Sequence, residues 1–243
     1  PSTSRTHCIA WSDWVSEAKV AYSNGIRLDT NYYYWPASWV LDRPGHFTGS
    51  GMPMRFADLD GSMIDVYQAA TQMTDESGIN YTTHINTLLG NATGPLGYYG
   101  VVTANMHTDT GPHPGQIVIV NAAKAMGVPV VSARQLLTWL DGRNGSSFGS
   151  VSWSGNSLNF SVAVGSGANG LQVMLPIQSA VGPLGTITFG GNPVTYTAQT
   201  IKGINYAVFN AQPGAYVADY SPDTTPPTVQ SVTPGDAATN VAA

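Results

Sequence analysis

The sequence predicts an α/β region with mostly parallel strands, followed by an all-β sandwich. Two patterns predict this. Up to residue 142, short apolar β-type runs alternate with runs of helical period about four times. From Ser146 onward the helical period is gone, and seven short β-type runs follow, most separated by Gly- and Asn-rich turns. Composition agrees: 42% of the 243 residues are hydrophobic, enough for a core in each part, while only 9% are charged, against roughly 25% in an average domain. The boundaries fall at 1–145 for the α/β region, 146–222 for the sandwich and 223–243 for a Pro-rich linker.

The chain opens with a short strand over Arg5–Trp11. Ser12 and Asp13 can cap a helix carrying Trp14, Val15, Ala18, Val20 and Ala21, and Asn24-Gly25 ends it. Ile26–Asp29 is the next strand; strand–helix–strand order favours parallel pairing. Tyr32, Tyr33, Tyr34 and Trp35 then follow a strand-end carboxylate. Flat rings placed there either stack on the apolar faces of sugars or cover the core beneath a loop. Residues 36–53 form a long Pro/Gly/Ser-rich loop carrying His46, of the kind used as a lid or binding loop. Met54–Asp58 and Met63–Tyr67 flank Asp60-Gly61, a hairpin signal. Asp58, Asp60 and Asp65 imitate a calcium loop but lack its spacing and its terminal Glu.

A polar turn over Thr74–Gly78 leads to a helix over 82–91 containing His84, which reads as a surface or satisfied residue. Tyr98–Met106 reads as a buried strand that stops at His107-Thr108-Asp109. An ionisable ring where a buried strand gives way to a loop is where α/β proteins place chemistry. The alternative is a polar strand end followed by an Asx turn. A helix over 116–126 closed by Gly127, a strand over Val128–Val131, and a helix over Ala133–Leu140 capped by Ser132 complete the region. The seven sandwich runs lie at 151–153, 158–162, 171–175, 186–189, 194–197, 206–209 and 216–220.

Composition also excludes functions. A net charge of −5 with nine scattered Lys and Arg gives no patch to neutralise phosphates, so nucleic acid is not a partner. No run is long and apolar enough to span a bilayer. The lone cysteine, Cys8, lies in an apolar run and reads as a buried inert thiol. Low charge, with 6 Trp and 12 Tyr, is the profile of a secreted or cell-surface, β-rich protein that meets sugars or water.

On these residues the first region resembles the polysaccharide deacetylase superfamily, whose fold is a distorted (β/α) barrel. The carrying segments are Arg5–Trp11, Gly25–Trp35, Asn105-Met106-His107 and Gly127–Arg134. They are similar to the later part of such a barrel, in the subset found in long secreted bacterial proteins with immunoglobulin-like modules. The segment 223–243 is similar to the entry strand of such a module. The resemblance implies a partial (β/α) barrel and hydrolysis of acetyl groups on a polysaccharide. It implies a divalent metal, usually zinc, with one Asp and a His-x-x-x-His pair as ligands. His107 matches the family's catalytic acid, Asp29 its late strand-end carboxylate, and Arg5 the arginine that this carboxylate supports. His7, Trp11, Tyr33, Trp35 and Asp109 would contact the substrate. The chain has neither an Asp-Asp pair nor a His-x-x-x-His pair. The metal ligands are therefore expected mostly outside this chain, on a second chain or N-terminal fragment that completes the barrel.

Two other readings stand beside this one. The chain is alternatively a non-catalytic carbohydrate-binding or cell-surface module. A weaker third reading makes His107, Asp109 and His113 a self-contained transition-metal site.

Overall fold

The computed structural model describes residues 1–6, 12–31, 51–76, 78–109 and 111–221. It is a mixed α/β fold with four helices among the described residues and many strands, including a curled half-barrel sheet. In the first region these are β1 (Thr3–Ser4), α1 (Ser16–Ser23), β2 (Leu28–Asp29), β3 (Met54–Ala57), β4 (Met63–Gln68), β5 (Thr71–Thr74), α2 (Tyr81–Thr93), β6 (Thr103–Asn105), α3 (Pro114–Ala125) and α4 (Ala133–Asn144).

β1 pairs parallel with β2, β2 parallel with β4, and β5 parallel with β6. β4 and β5 act as one strand through Ala69 and Ala70. The Ala69 N–H donates to Asp29 O at 2.9 Å and the Thr71 N–H to Asn31 O at 3.4 Å, continuing the β2 ladder. β3 joins β4 antiparallel across the Asp60-Gly61 turn, where Gly61 takes φ 82°.

Side chains alternate across this sheet and meet different helices. Leu28, Tyr67 and Ala69 pack on Leu136, Leu137 and Leu140 of α4. Val66, one position out of phase, packs on Ala18 and Ala21 of α1. Each face thus carries a helix. That is the cover of an open sheet, and a mostly parallel (β/α) barrel, expected from the resemblance, is not shown. Met73 packs with Ile79, Ile85, Leu88, Leu89 and Ala123 between α2 and α3. Each buried aliphatic chain contributes roughly 1.5–3 kcal/mol. At the amino ends of the strands Arg27 joins β4 to α4, donating to Asp65 at 2.9 Å and to Asp141 at 2.6 Å.

The helices follow their local signals. Asp13 Oδ1 accepts from the N–H groups of Val15 and Ser16 just ahead of α1. Asn80 caps α2, and Ser132 with Gln135 forms a full capping box on α4. Trp14 and Val20, expected on the apolar side of α1, are exposed.

The strands depart further from expectation. Of the run 98–106 only Thr103–Asn105 is strand, and Tyr98 and Tyr99 are exposed. Gly97 at φ 57° turns the chain after α2, and the Tyr98 N–H returns to Asn91 O. Val128–Val131 is no strand. The Val128 N–H closes α3 on Ala123 O, with Gly127 at φ 67°, and Pro129 has no donor for a ladder. β5, by contrast, was hidden by its polarity. Its Thr71 hydroxyl donates to Thr30 O at 2.6 Å, and its Gln72 Oε1 accepts from the Thr103 N–H at 3.3 Å, so buried polar groups are satisfied.

The second region holds nine strands: β7 (Ser147–Ser154), β8 (Ser157–Ala163), β9 (Gln172–Pro176), β10 (Gln178–Ser179), β11 (Gly182–Phe189), β12 (Asn192–Pro193), β13 (Thr197–Ile201), β14 (Ile204–Asn210) and β15 (Gly214–Tyr220). They make two antiparallel sheets, β10-β11-β15-β8-β7 with β12 on β11, and β13-β14-β9. Both feed one core that includes Phe160, Val173, Leu175, Ile187, Phe209 and Tyr216. Tyr216 stacks on Phe160 with centroids 5.2 Å apart, and its hydroxyl donates to Gln212 O. The expected runs fall on seven of these strands, 194–197 overlapping β13 only at Thr197; the two-residue β10 and β12 have no run long enough to read.

Candidate functional site

Asp75 is the first residue after β5, and His107 lies two residues beyond β6. Because β5 and β6 are parallel neighbours, both side chains arrive at the same carboxyl end. The His107 Nδ1–H donates to the Asp75 carboxylate at 3.0 and 3.1 Å, and the His107 backbone N–H donates to Oδ1 at 3.3 Å. This contact fixes the tautomer and makes Nε2 the nitrogen that would exchange protons. The hydrogen bond from the ring to Asp75, with that carboxylate's charge, holds the His107 pKa above its ordinary value. For Asp75, burial pushes upward, but hydrogen bonds from the His107 ring and backbone outweigh it, and the net pKa is lowered.

α2 and α3 supply the surroundings. The Tyr81 hydroxyl donates to Thr74 O at 3.2 Å, and burial, with the Asp75 charge, raises its pKa. His113 meets the Tyr81 ring edge-on at 5.7 Å, and its Nδ1 accepts from the Gly115 N–H as the cap of α3. Asp109 is exposed, and its charge adds to the upward shift of His107.

Asp29 ends β2 and points to the α1 side of the sheet. It is 2% exposed, and burial, reinforced by Glu17, raises its pKa to about 6. The Asn31 N–H and Gln68 Nε2 donate to it at 2.9 and 3.3 Å. Asn31 Nδ2 donates in turn to Glu17 Oε1 at 2.5 Å. A polar ladder runs from here toward His107. Asn105 Nδ2 donates to Thr30 O at 3.3 Å and also to the Thr71 hydroxyl. Asp29 and His107 therefore lie at the same end of the parallel strands, with Thr30 and Asn105 between them.

Arg5 is exposed just past β1; its neighbour Thr6 donates through N–H and hydroxyl to Asn31 Oδ1, which draws this segment to the end of β2. His7, Trp11, Tyr33 and Trp35 lie outside the described residues, as do Cys8 and His46. His84 is buried in α2, its Nδ1 donating to Asn80 O at 2.9 Å. Sequence reasoning missed Asp75. Its one signal was an acidic pair, Asp75-Glu76, straight after a run that β5 turned into a strand.

Nδ1 of His107 is committed to Asp75, Nδ1 of His113 to Gly115, and no group of three His, Cys, Asp or Glu among the described residues could hold an ion. No protein-family model, curated protein or solved structure matches the chain.

Proposed function

We propose that the chain is part of a secreted or cell-surface hydrolase acting on acetylated polysaccharide, and that His107 is its general acid. The observation carrying this reading is the His107–Asp75 pair at the carboxyl end of neighbouring parallel strands. An imidazolium held above its ordinary pKa by Asp75 can protonate a departing amine or alcohol as an acetyl group passes to water. Asp75 orients the ring and keeps it protonated to higher pH. Asp29 and Arg5 close the other side of the rim, and Asp109 flanks the imidazole. In this reading the curled parallel strands are a partial (β/α) barrel, opened enough to take a helix on each face, and the second region is a β-sandwich. The edge at β1 would be covered by a second chain or N-terminal fragment, which would also bring the zinc ligands; an uncovered edge is a pairing liability.

The test is acetate release from acetylated glucosamine polymers by the chain together with whatever co-purifies with it. His107→Ala should abolish release while leaving the fold intact. Asp75→Asn should lower the His107 pKa and move the alkaline limb of the rate profile to lower pH, because the acid form is then lost earlier. Release by His107→Ala at the parental rate sinks the reading.

A further inference from the structure

The first sheet of the second region leaves part of its core face uncovered. Phe148 of β7 lies opposite Val162 of β8, and Trp153 opposite Leu158. Directly opposed residues share a face, and Phe160 and Val162 belong to the core, so Phe148 and Trp153 stand on the inner side. Yet Phe148 is 59% exposed and Trp153 46%. The second sheet has three strands against the five in the path of the first, and β7 is the last strand of that path.

Both rings are held in place before any ligand arrives. Phe148 meets Phe160 edge-on at 5.9 Å. Trp153 rests against Tyr220 at 5.4 Å, and its Nε1–H donates to Gly155 O at 2.8 Å, which fixes the indole. Preorganised rings lose little entropy on binding. The strand that carries them reads Ser-Phe-Gly-Ser-Val-Ser-Trp-Ser, without a charged residue, so its surface suits a neutral ligand. Across the ladder the two rings are separated as Val162 is from Leu158, about 13 Å at ~3.3 Å per residue. That is longer than one sugar ring and fits a chain.

The edge of β7 is unsuited to receiving another strand. A bulge interrupts its ladder between Gly149 and Ser152, and Ser150 sits at φ 50°, a left-handed conformation unusual outside Gly. Bulged edges resist strand addition, which disfavours a second copy or an extended peptide.

We propose that Phe148 and Trp153 form a stacking platform for an uncharged polysaccharide chain lying along β7. The ligand class rests on the reading above, but the platform needs no catalysis. Apolar faces of successive sugars would pack on the two rings, as aromatic surfaces bind apolar area while leaving hydroxyls in water.

Affinity electrophoresis of the full chain through gels containing glycol chitin or hydroxyethyl cellulose tests this. The parent should be retarded by at least one polymer. Trp153→Ala and Phe148→Ala should each weaken retardation roughly tenfold or more, and Trp153→Phe should keep most of it. Circular dichroism of the variants should match the parent, since both side chains are half-exposed. A parent that runs unretarded through both polymers overturns the proposal, as does Trp153→Ala binding like the parent. His107→Ala on the same gels separates the two readings. Retention in that variant supports the platform whatever the fate of the proton-transfer reading; loss as large as in Trp153→Ala places binding at the rim and overturns it. Self-association that Trp153→Ala removes, with no retardation by polymer, assigns the face to a second copy and also overturns it.

Discussion

Two carboxylates in this protein have been pushed in opposite directions, and the difference is whether hydrogen bonds outweigh burial. Burial pushes Asp75 upward, but hydrogen bonds from His107 leave its pKa lowered; burial, reinforced by Glu17, raises the pKa of Asp29 to about 6. The two shifts have different consequences for stability. The Asp75–His107 contact stabilises the fold between the lowered Asp75 value and the raised His107 value, and is lost outside that window on either side. Asp29 works the other way. Its ionised form is disfavoured in the fold, so stability should fall as pH rises from the ordinary 3.8 toward about 6 and then level off. Asp29→Asn should remove that slope. It should stabilise the protein at pH 8 by up to about 3 kcal/mol and change little at pH 3.5, with urea denaturation at both values as the check. Parental stability at pH 8 would show that Asp29 is not buried as an ion. His107 was legible as an ionisable ring at a strand end. Asp75 was not, because it lies 32 residues away and follows a run whose threonines and glutamine look like a turn.

Helices and strands were legible to different degrees. Helix ends are written in adjacent residues: Asn80 accepts from the Thr83 N–H, and Ser132 and Gln135 bond reciprocally. Ser132→Ala should therefore cost about 1 kcal/mol, read as a lower urea midpoint with unchanged slope. No loss would mean that packing of Leu136, Leu137 and Leu140 alone sets the start of α4. Strands were less legible because a β-type run becomes a strand only when a neighbour pairs with it. Val130 and Val131 find none and are exposed, while Thr71–Thr74 finds β6 and is buried throughout.

The two regions meet where glycines let backbones touch. A Cβ on Gly142 of α4 would lie 2.3 Å from the Ala168 N atom and 2.6 Å from Ser166 O. Trp139 of the same helix donates to Asn169 O at 3.2 Å, and the Lys202 N–H donates to Pro95 O at 2.9 Å. Helix α4 is thus one coupling element, with its leucines in the first core and its carboxyl end against the second region. The parent should unfold in a single calorimetric transition. Gly142→Ala, which overpacks this contact by about 1–3 kcal/mol, should separate the unfolding of the two regions. A variant that still melts in one step at the parental temperature would remove α4 from that role.

Helix caps and hydrophobic period were enough to place the four helices among the described residues. These features depend on residues within a turn or two of one another. The Asp75 partner, the burial of Asp29 and the exposure of Phe148 and Trp153 came from folding. Each depends on which strands lie side by side and how far one sheet reaches across another, and pairing between distant segments leaves no local mark on the chain.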